Sequence, residues 1–270
     1  MTLVTVNGVR LSYEISGTGE IPLILVHGSW LDRRQWDPAT PLLQDSFRVL
    51  TYDRRGHSES EAPNGKFSVH EHVADLAGLI EHLQFAPAWV LGNSFGGSIT
   101  LRLAGERPDL VRGILVHEPP LFSLVPTDDD AAPSVEEDMR NDAAAERIAA
   151  GDHAGAAEQF AEAVSPGMWL ESPTEIRQTM TENAPGFLAD WSDPDFYALD
   201  LERASRFPQP VLLTHGDQSP PVFAPVITRL GAALPSAEVQ TLPGVGHVPH
   251  MEDPEGYVEA VAGFVRRHTT

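Results

Sequence analysis

Five residues in this chain carry a recognisable chemical pattern: Gly92-Asn93-Ser94-Phe95-Gly96, preceded by the apolar run Ala88-Trp89-Val90-Leu91 and followed by the helix-forming Ser98-Ile99-Thr100-Leu101-Arg102-Leu103-Ala104. A serine on so tight a strand-to-helix turn adopts a strained backbone conformation, and glycines on either side remove the Cβ atoms that would clash there. Its hydroxyl then projects from the turn as a nucleophile. The backbone N–H of Phe95 opens the predicted helix Phe95 to Glu106, where unpaired donors and the positive end of the helix dipole can receive a developing oxyanion. Gly-x-Ser-x-Gly by itself also occurs in ordinary tight turns. The flanking strand and helix supply the context that the chemistry requires.

The rest of the chain must position that serine. At 270 residues it is long enough for one sizeable core, and 41% hydrophobic content suits a globular α/β protein. With 39 acidic against 18 basic residues, the net charge of −21 opposes binding to nucleic acid or to an anionic membrane surface. There is no cysteine, so disulfides, thiolate catalysis and thiolate metal sites are excluded, and no His-Glu-x-x-His is present; no metal and no cofactor is expected. The first residues show no basic region followed by an apolar stretch, and no later run is apolar for long enough to span a bilayer, which predicts a cytoplasmic protein.

Alternation around Asn7-Gly8 predicts a hairpin from Thr2 to Val6 and Arg10 to Ile15. Ile21 to Val26 is continuously apolar, as in a parallel strand covered on both faces, and Phe47 to Tyr52 reads as another strand. Between them, Trp36 to Leu43 reads as a short helix; Ser68 to Leu83 reads as an amphipathic one. After the serine turn, Val111 to His117 is a further buried strand ending at Glu118-Pro119-Pro120. From Leu121 to about Arg206 no strand is expected. Ala- and Glu-rich helical segments, opened by Asp128-Asp129-Asp130 and Pro133, are punctuated by Gly151, Pro166-Gly167, Pro173, Pro185-Gly186 and Pro194. The acidic run is expected to be a solvated loop. Strand and helix resume with Pro210 to His215, Phe223 to Leu234, Glu238 to Leu242 and a closing helix Glu255 to Arg267. The expected organisation is a core from residues 1–120 and 207–270, with a helical cap at 121–206 inserted after the sixth strand. Phe160, Met168, Trp169, Phe187, Trp191 and Phe196 in that cap either line a pocket or pack the cap onto the sheet.

Taken in order, His27-Gly28, Tyr52-Asp53-Arg54-Arg55-Gly56-His57-Ser58-Glu59-Ser60, Gly92-Asn93-Ser94-Phe95-Gly96 and Gly246-His247 give the chain a pattern that resembles the α/β-hydrolase superfamily over nearly its whole length. The resemblance implies a mostly parallel eight-stranded sheet with helices on both faces and a helical cap. It makes Ser94 the nucleophile, His247 the base, and the N–H of Ser29 the oxyanion donor that joins that of Phe95. The chemistry of the residues agrees. Serine needs a base at neutral pH, the base needs a carboxylate to fix its tautomer, and His247 follows a Gly-Val-Gly loop able to approach the serine. Among the other histidines, His27 ends a strand and is structural, His57 lies in a turn, and His70, His72, His82 and His153 are expected on helix surfaces; His250 is the nearest rival.

The acid departs from the commoner family pattern, because the position three residues after Gly216 is Ser219. Asp217 is adjacent to that glycine, while Glu118 ends the preceding strand, where a second group of family members carries its acid. Haloalkane dehalogenases and fungal zearalenone-lactone hydrolases include members of this kind, and the latter resemble this chain in His117-Glu118 followed soon by proline. Glu118 is the favoured acid and Asp217 the alternative. The resemblance therefore implies a cofactor-independent hydrolase of apolar, small-molecule carboxylic esters or lactones, acting through an acyl-serine. C–C bond hydrolysis, acyl transfer, perhydrolysis or a ligand receptor without turnover are the alternatives on the same triad.

Overall fold

A computed structural model of the chain describes residues 2–63, 67–125 and 141–269. The expected strands form a single eight-stranded sheet in the order β1-β2-β4-β3-β5-β6-β7-β8. They are β1 (Thr2–Val6), β2 (Val9–Ser16), β3 (Ile21–Val26), β4 (Phe47–Tyr52), β5 (Ala88–Asn93), β6 (Val111–His117), β7 (Val211–Gly216) and β8 (Ala237–Leu242). Asn7 and Gly8 take φ values of 47° and 77°, which suits the primed turn joining β1 to β2. β1 and β2 pair antiparallel, and from β4 to β8 every neighbouring pair is parallel. The central parallel strands β3 and β5 are mainly apolar because both faces are covered, whereas the edge strand β8 alternates in polar residues and is largely exposed.

On one face lie α2 (Val69–His82), α3 (Phe95–Glu106) and α9 (Phe223–Ala233), whose Leu76, Ile99 and Val226 share a core with Ile24, Val90 and Leu213 of the sheet. The numbering counts α1 (Thr40–Leu43) first and continues through the inserted helices described next. α2 begins where a capping box ties Ser68 to Glu71. On the other face, Leu43 of α1 and Tyr257 and Phe264 of α11 (Pro254–His268), which follows the short α10 (Pro249–Glu252), pack on Leu23, Trp89 and Leu212. The short helix expected over Trp36 to Leu43 is instead two pieces, a 3₁₀ turn at Arg33–Trp36 and α1, with Asp32 capping the first through the N–H of Arg34.

Between β6 and β7 the described residues form α4 (Asn141–Ala149), α5 (His153–Val164), α6 (Met168–Glu171), α7 (Thr174–Trp191) and α8 (Leu201–Ser205), with no strand among them. Asp128-Asp129-Asp130 and Pro133 lie outside the described residues. Gly151, Gly167 and Pro173 fall between helices, as expected of breakers. Pro185-Gly186 does not: both lie inside α7. The absent side chain of Gly186 is what lets α7 approach the core, since a Cβ there would meet the Gly56 carbonyl oxygen at 2.3 Å. Tertiary contact outweighs local propensity at this point. Among the described residues, no helix is long and apolar enough to cross a membrane.

Candidate active site

Ser94 stands between β5 and α3 with φ 54° and ψ −126°, outside the regions open to ordinary residues. That turn closes only because glycines flank it: a Cβ on Gly92 would meet the Gly96 carbonyl oxygen at 2.3 Å, and one on Gly96 the Val26 carbonyl oxygen at 2.2 Å. The Ser94 carbonyl accepts from Gly97 N–H at 2.8 Å and Ser98 N–H at 3.3 Å. Phe95, as the first helical residue, has no intrahelical acceptor for its own N–H. Ser29 follows β3 at the same sheet edge, and Gly28, Ser29, Asn93, Ser94 and His247 line one cavity.

His247 comes from the loop after β8. Its Nδ1 is 2.7 Å from Glu118 Oε2, while Glu118 Oε1 accepts from the Gly216 N–H at 2.8 Å. Burial alone would raise the Glu118 carboxyl. The neighbouring His117 and the hydrogen bond and charge of His247 outweigh it and hold the pKa down to about 2. A carboxylate in that state only accepts, so Nδ1 of His247 carries the hydrogen; in the neutral imidazole that tautomer keeps the lone pair on Nε2. The imidazole also stacks on Phe223, ring centroids 4.5 Å apart. Glu118 itself takes φ 45°, a left-handed backbone immediately after β6.

Asp217 is occupied elsewhere: its Oδ1 accepts from the Gly244 N–H at 2.7 Å, and the residue is exposed. It fastens the turn that leads to His247. The His247 loop is held further by three residues that sequence reasoning did not single out for this task. Asn93 Nδ2 donates to the His247 carbonyl at 2.9 Å, and Glu252 accepts from Gly246 N–H at 2.5 Å and Val248 N–H at 3.3 Å. Gln35 accepts from Gly28 N–H at 3.2 Å and approaches Asn93 Oδ1 at 3.5 Å, so one chain of amides joins the Ser29 loop to the His247 loop. His117 Nε2 lies 3.2 Å from the Gly246 carbonyl and Nδ1 2.9 Å from Thr214 Oγ1; burial lowers its pKa to about 4, with Glu118 opposing, so at neutral pH it is an uncharged Nε2–H donor. His117, Glu118 and His247 bring ligand-type atoms within 4.8 Å of one another, but their hydrogen bonds already account for that closeness.

The remaining histidines separate by environment. His27 is structural as expected, fully buried with Nε2 accepting from Arg54 N–H at 2.9 Å. His72 is not on a surface: it is 1% exposed, and its Nε2 donates to Asp190 of α7 at 2.6 Å. Its helix face is covered by the inserted helices, which helical periodicity alone does not show. The same Asp190 accepts from Arg54 at 2.9 Å, and Arg54 also donates to the Gly28 carbonyl at 3.1 Å. A buried ion pair thus ties α7 to the loop beside Ser29. His250, the rival to His247, packs at a tilt of 34° against Trp36 with centroids 4.2 Å apart, and among the described residues neither of its ring nitrogens has a hydrogen-bond partner.

The aromatics of the inserted helices divide between the two expected roles. Phe160 and Met168 line the cavity. Phe187 and Phe196 are buried behind it, stacked on Trp30 (4.4 Å) and Phe95 (4.6 Å) respectively, and Trp191 packs edge-on against Phe196.

A family model described as alpha/beta hydrolase fold matches residues 21–254. A 2-(acetamidomethylene)succinate hydrolase of Mesorhizobium japonicum is 26% identical over 269 residues, covering 95% of this chain and 92% of its own. Among solved structures, Est816, described as an N-acyl homoserine lactone degrading enzyme, is 26% identical with a TM-score of 0.76, covering 97% of this chain and all (100%) of that one. A thermophilic esterase from Thermogutta terrifontis is 27% identical with a TM-score of 0.76, covering 100% of both chains. With the sheet order, the serine turn and a family model extending from β3 to the start of α11, the chain belongs to the alpha/beta hydrolase fold family.

Proposed function

We propose that the protein hydrolyses carboxylic esters or lactones through an acyl-serine intermediate, with Ser94 as nucleophile, His247 as base, Glu118 as its acid, and the N–H groups of Ser29 and Phe95 as the oxyanion hole. The helices at 141–205, with the residues around them, act as a cap over a core formed by the sheet and its flanking helices. The observation that carries the reading is the 2.7 Å contact of Glu118 with His247 Nδ1, which leaves His247 Nε2 basic in the cavity that Ser94 enters.

Ser94 Oγ attacks the carbonyl carbon as its proton passes to His247 Nε2, and the tetrahedral oxyanion is met by the two backbone N–H groups. The bond to the leaving oxygen then breaks, and the proton on His247 goes to that oxygen. Water attacks the acyl-serine, giving a proton to His247, and collapse returns it to Ser94 Oγ with release of the carboxylic acid. The esterase and the lactone-degrading enzyme among its structural relatives support this class of bond. A p-nitrophenyl ester should be turned over by the wild type and not by Ser94→Ala, and an organophosphonate should label Ser94 alone. Labelling of Ser94→Ala at a different serine removes Ser94 from the mechanism; wild-type binding of ester without product release favours a receptor.

A further inference from the structure

The cavity around Ser94 also constrains what it admits. Beyond the reacting groups, its walls are Leu31, Phe160, Val164, Met168, Met180 and Val248, all apolar. Its two side-chain amides, Gln35 and Asn93, are already engaged with Gly28 N–H and the His247 carbonyl. Among the described residues lining it, none is lysine or arginine. The nearby basic side chains are committed elsewhere: Arg34 to Asp32, Arg54 to Asp190, and Arg177 to the Trp169 and Ser172 carbonyls. The acid behind His247 is an ionised carboxylate, and the whole chain carries −21.

We infer that the substrate is an uncharged ester or lactone, and that Met168 and Met180 on the cap set this preference by presenting an apolar wall where an anionic substrate would need a cation. The inference rests on the hydrolase reading and narrows its substrate class. Phe160 is the fixed part of the wall, because it stacks on the buried Trp30 with centroids 5.2 Å apart, and Trp30 stacks in turn on Phe187. The methionines are the adaptable part. Met180 is 1% exposed, whereas Met168 is only half-buried, so a longer polar side chain at 168 can keep its head in water while its stem covers the same surface.

The experiment compares kcat/KM within two pairs of esters of similar size. p-Nitrophenyl butyrate against p-nitrophenyl hemisuccinate places a carboxylate on the acyl side; 4-tolyl acetate against 4-acetoxybenzoate places it on the alcohol side. The neutral member should be favoured by about 100-fold or more in at least one pair, since a carboxylate entering an apolar wall loses its water without gaining a partner. Discrimination in one pair alone identifies the half of the substrate that sits under the cap. Met168→Lys should narrow the discriminating ratio by about tenfold through a gain on the anionic ester, while Met168→Leu should leave the ratio as in the wild type. Equal kcat/KM within both pairs, or a Met168→Lys variant that is folded by circular dichroism yet leaves the ratio unchanged, overturns the inference while leaving the hydrolase reading intact. Failure to turn over any of the four esters, with no phosphonate labelling of Ser94, instead overturns the hydrolase reading and this one with it.

Discussion

Replacing Asp190 with asparagine tests how the inserted helix α7 is joined to the loops at the sheet edge. Arg54 Nη1 donates to Asp190 Oδ2 at 2.9 Å, both side chains are fully buried, and His72 donates to the other carboxylate oxygen at 2.6 Å. Burial would raise the Asp190 carboxyl, but Arg54 and His72 outweigh it and hold it well below the usual carboxylate range. Asparagine preserves the size and removes the charge, leaving the Arg54 guanidinium desolvated against the Gly28 carbonyl and His57. Breaking one side of a buried pair costs about 3–5 kcal/mol. For a chain of this size, at about 2–4 °C per kcal/mol, Asp190→Asn should lower Tm by roughly 6–20 °C. Urea unfolding at pH 7.5 measures the same loss as a fall in midpoint with unchanged slope. Removing both charges, in Arg54→Met with Asp190→Leu, should recover much of it, because no buried ion is then left alone. Asp190→Asn within about 1 kcal/mol of the wild type would refute the reasoning, as would a double variant no more stable than the single one.

Glu118→Gln should lower kcat by about 10³–10⁴-fold with the fold intact, while Asp217→Asn, which loosens only the turn at Gly244, should cost far less; the reverse ranking in steady-state kinetics would make Asp217 the acid. Asn93→Leu, which frees the His247 carbonyl, should lower kcat by about 10–100-fold with little change in KM or Tm, and an unchanged kcat would mean that Glu252 and His117 suffice to hold the loop. Acid should destabilise the protein well above the carboxylate range. Burial lowers the pKa of His57 to about 3 and of His117 to about 4, and puts His27 and His250 well below 6.5, so nothing changes above pH 6.5. Below it the unfolded chain takes up protons that the folded one refuses, at about 2 kcal/mol for each of His57 and His117 by pH 5. Asp53, raised to about 6 by burial, offsets part of this by gaining a proton in the folded state. Urea midpoints that do not fall between pH 7 and 5 would contradict that balance.

The strands were legible because burial on both faces of a parallel sheet leaves short runs dominated by apolar residues: Ile21–Val26, Phe47–Tyr52 and Val111–His117 are recovered residue for residue. The serine turn was legible for a steric reason, since only glycine fits at Gly92 and Gly96. These are local constraints, and local sequence carries them. Where one residue meets another far along the chain, the sequence stopped short. It brought Glu118 and Asp217 to the same sheet edge. The register of β6 on β7, with His117 opposite Thr214, then sets Glu118 within reach of His247 and leaves Asp217 on its own turn. His72 read as a surface histidine because its partner, Asp190, lies 118 residues away on a helix whose docking no periodicity encodes. Pro185-Gly186 read as a break because propensity reports only on the isolated segment, and the contact of Gly186 with the Gly56 carbonyl exists only after α7 has packed. The cavity wall was decided the same way. Composition supplied aromatic and sulfur side chains between 160 and 196, and packing alone placed Phe160 and Met168 at Ser94 and buried Phe187 and Phe196 behind Trp30 and Phe95.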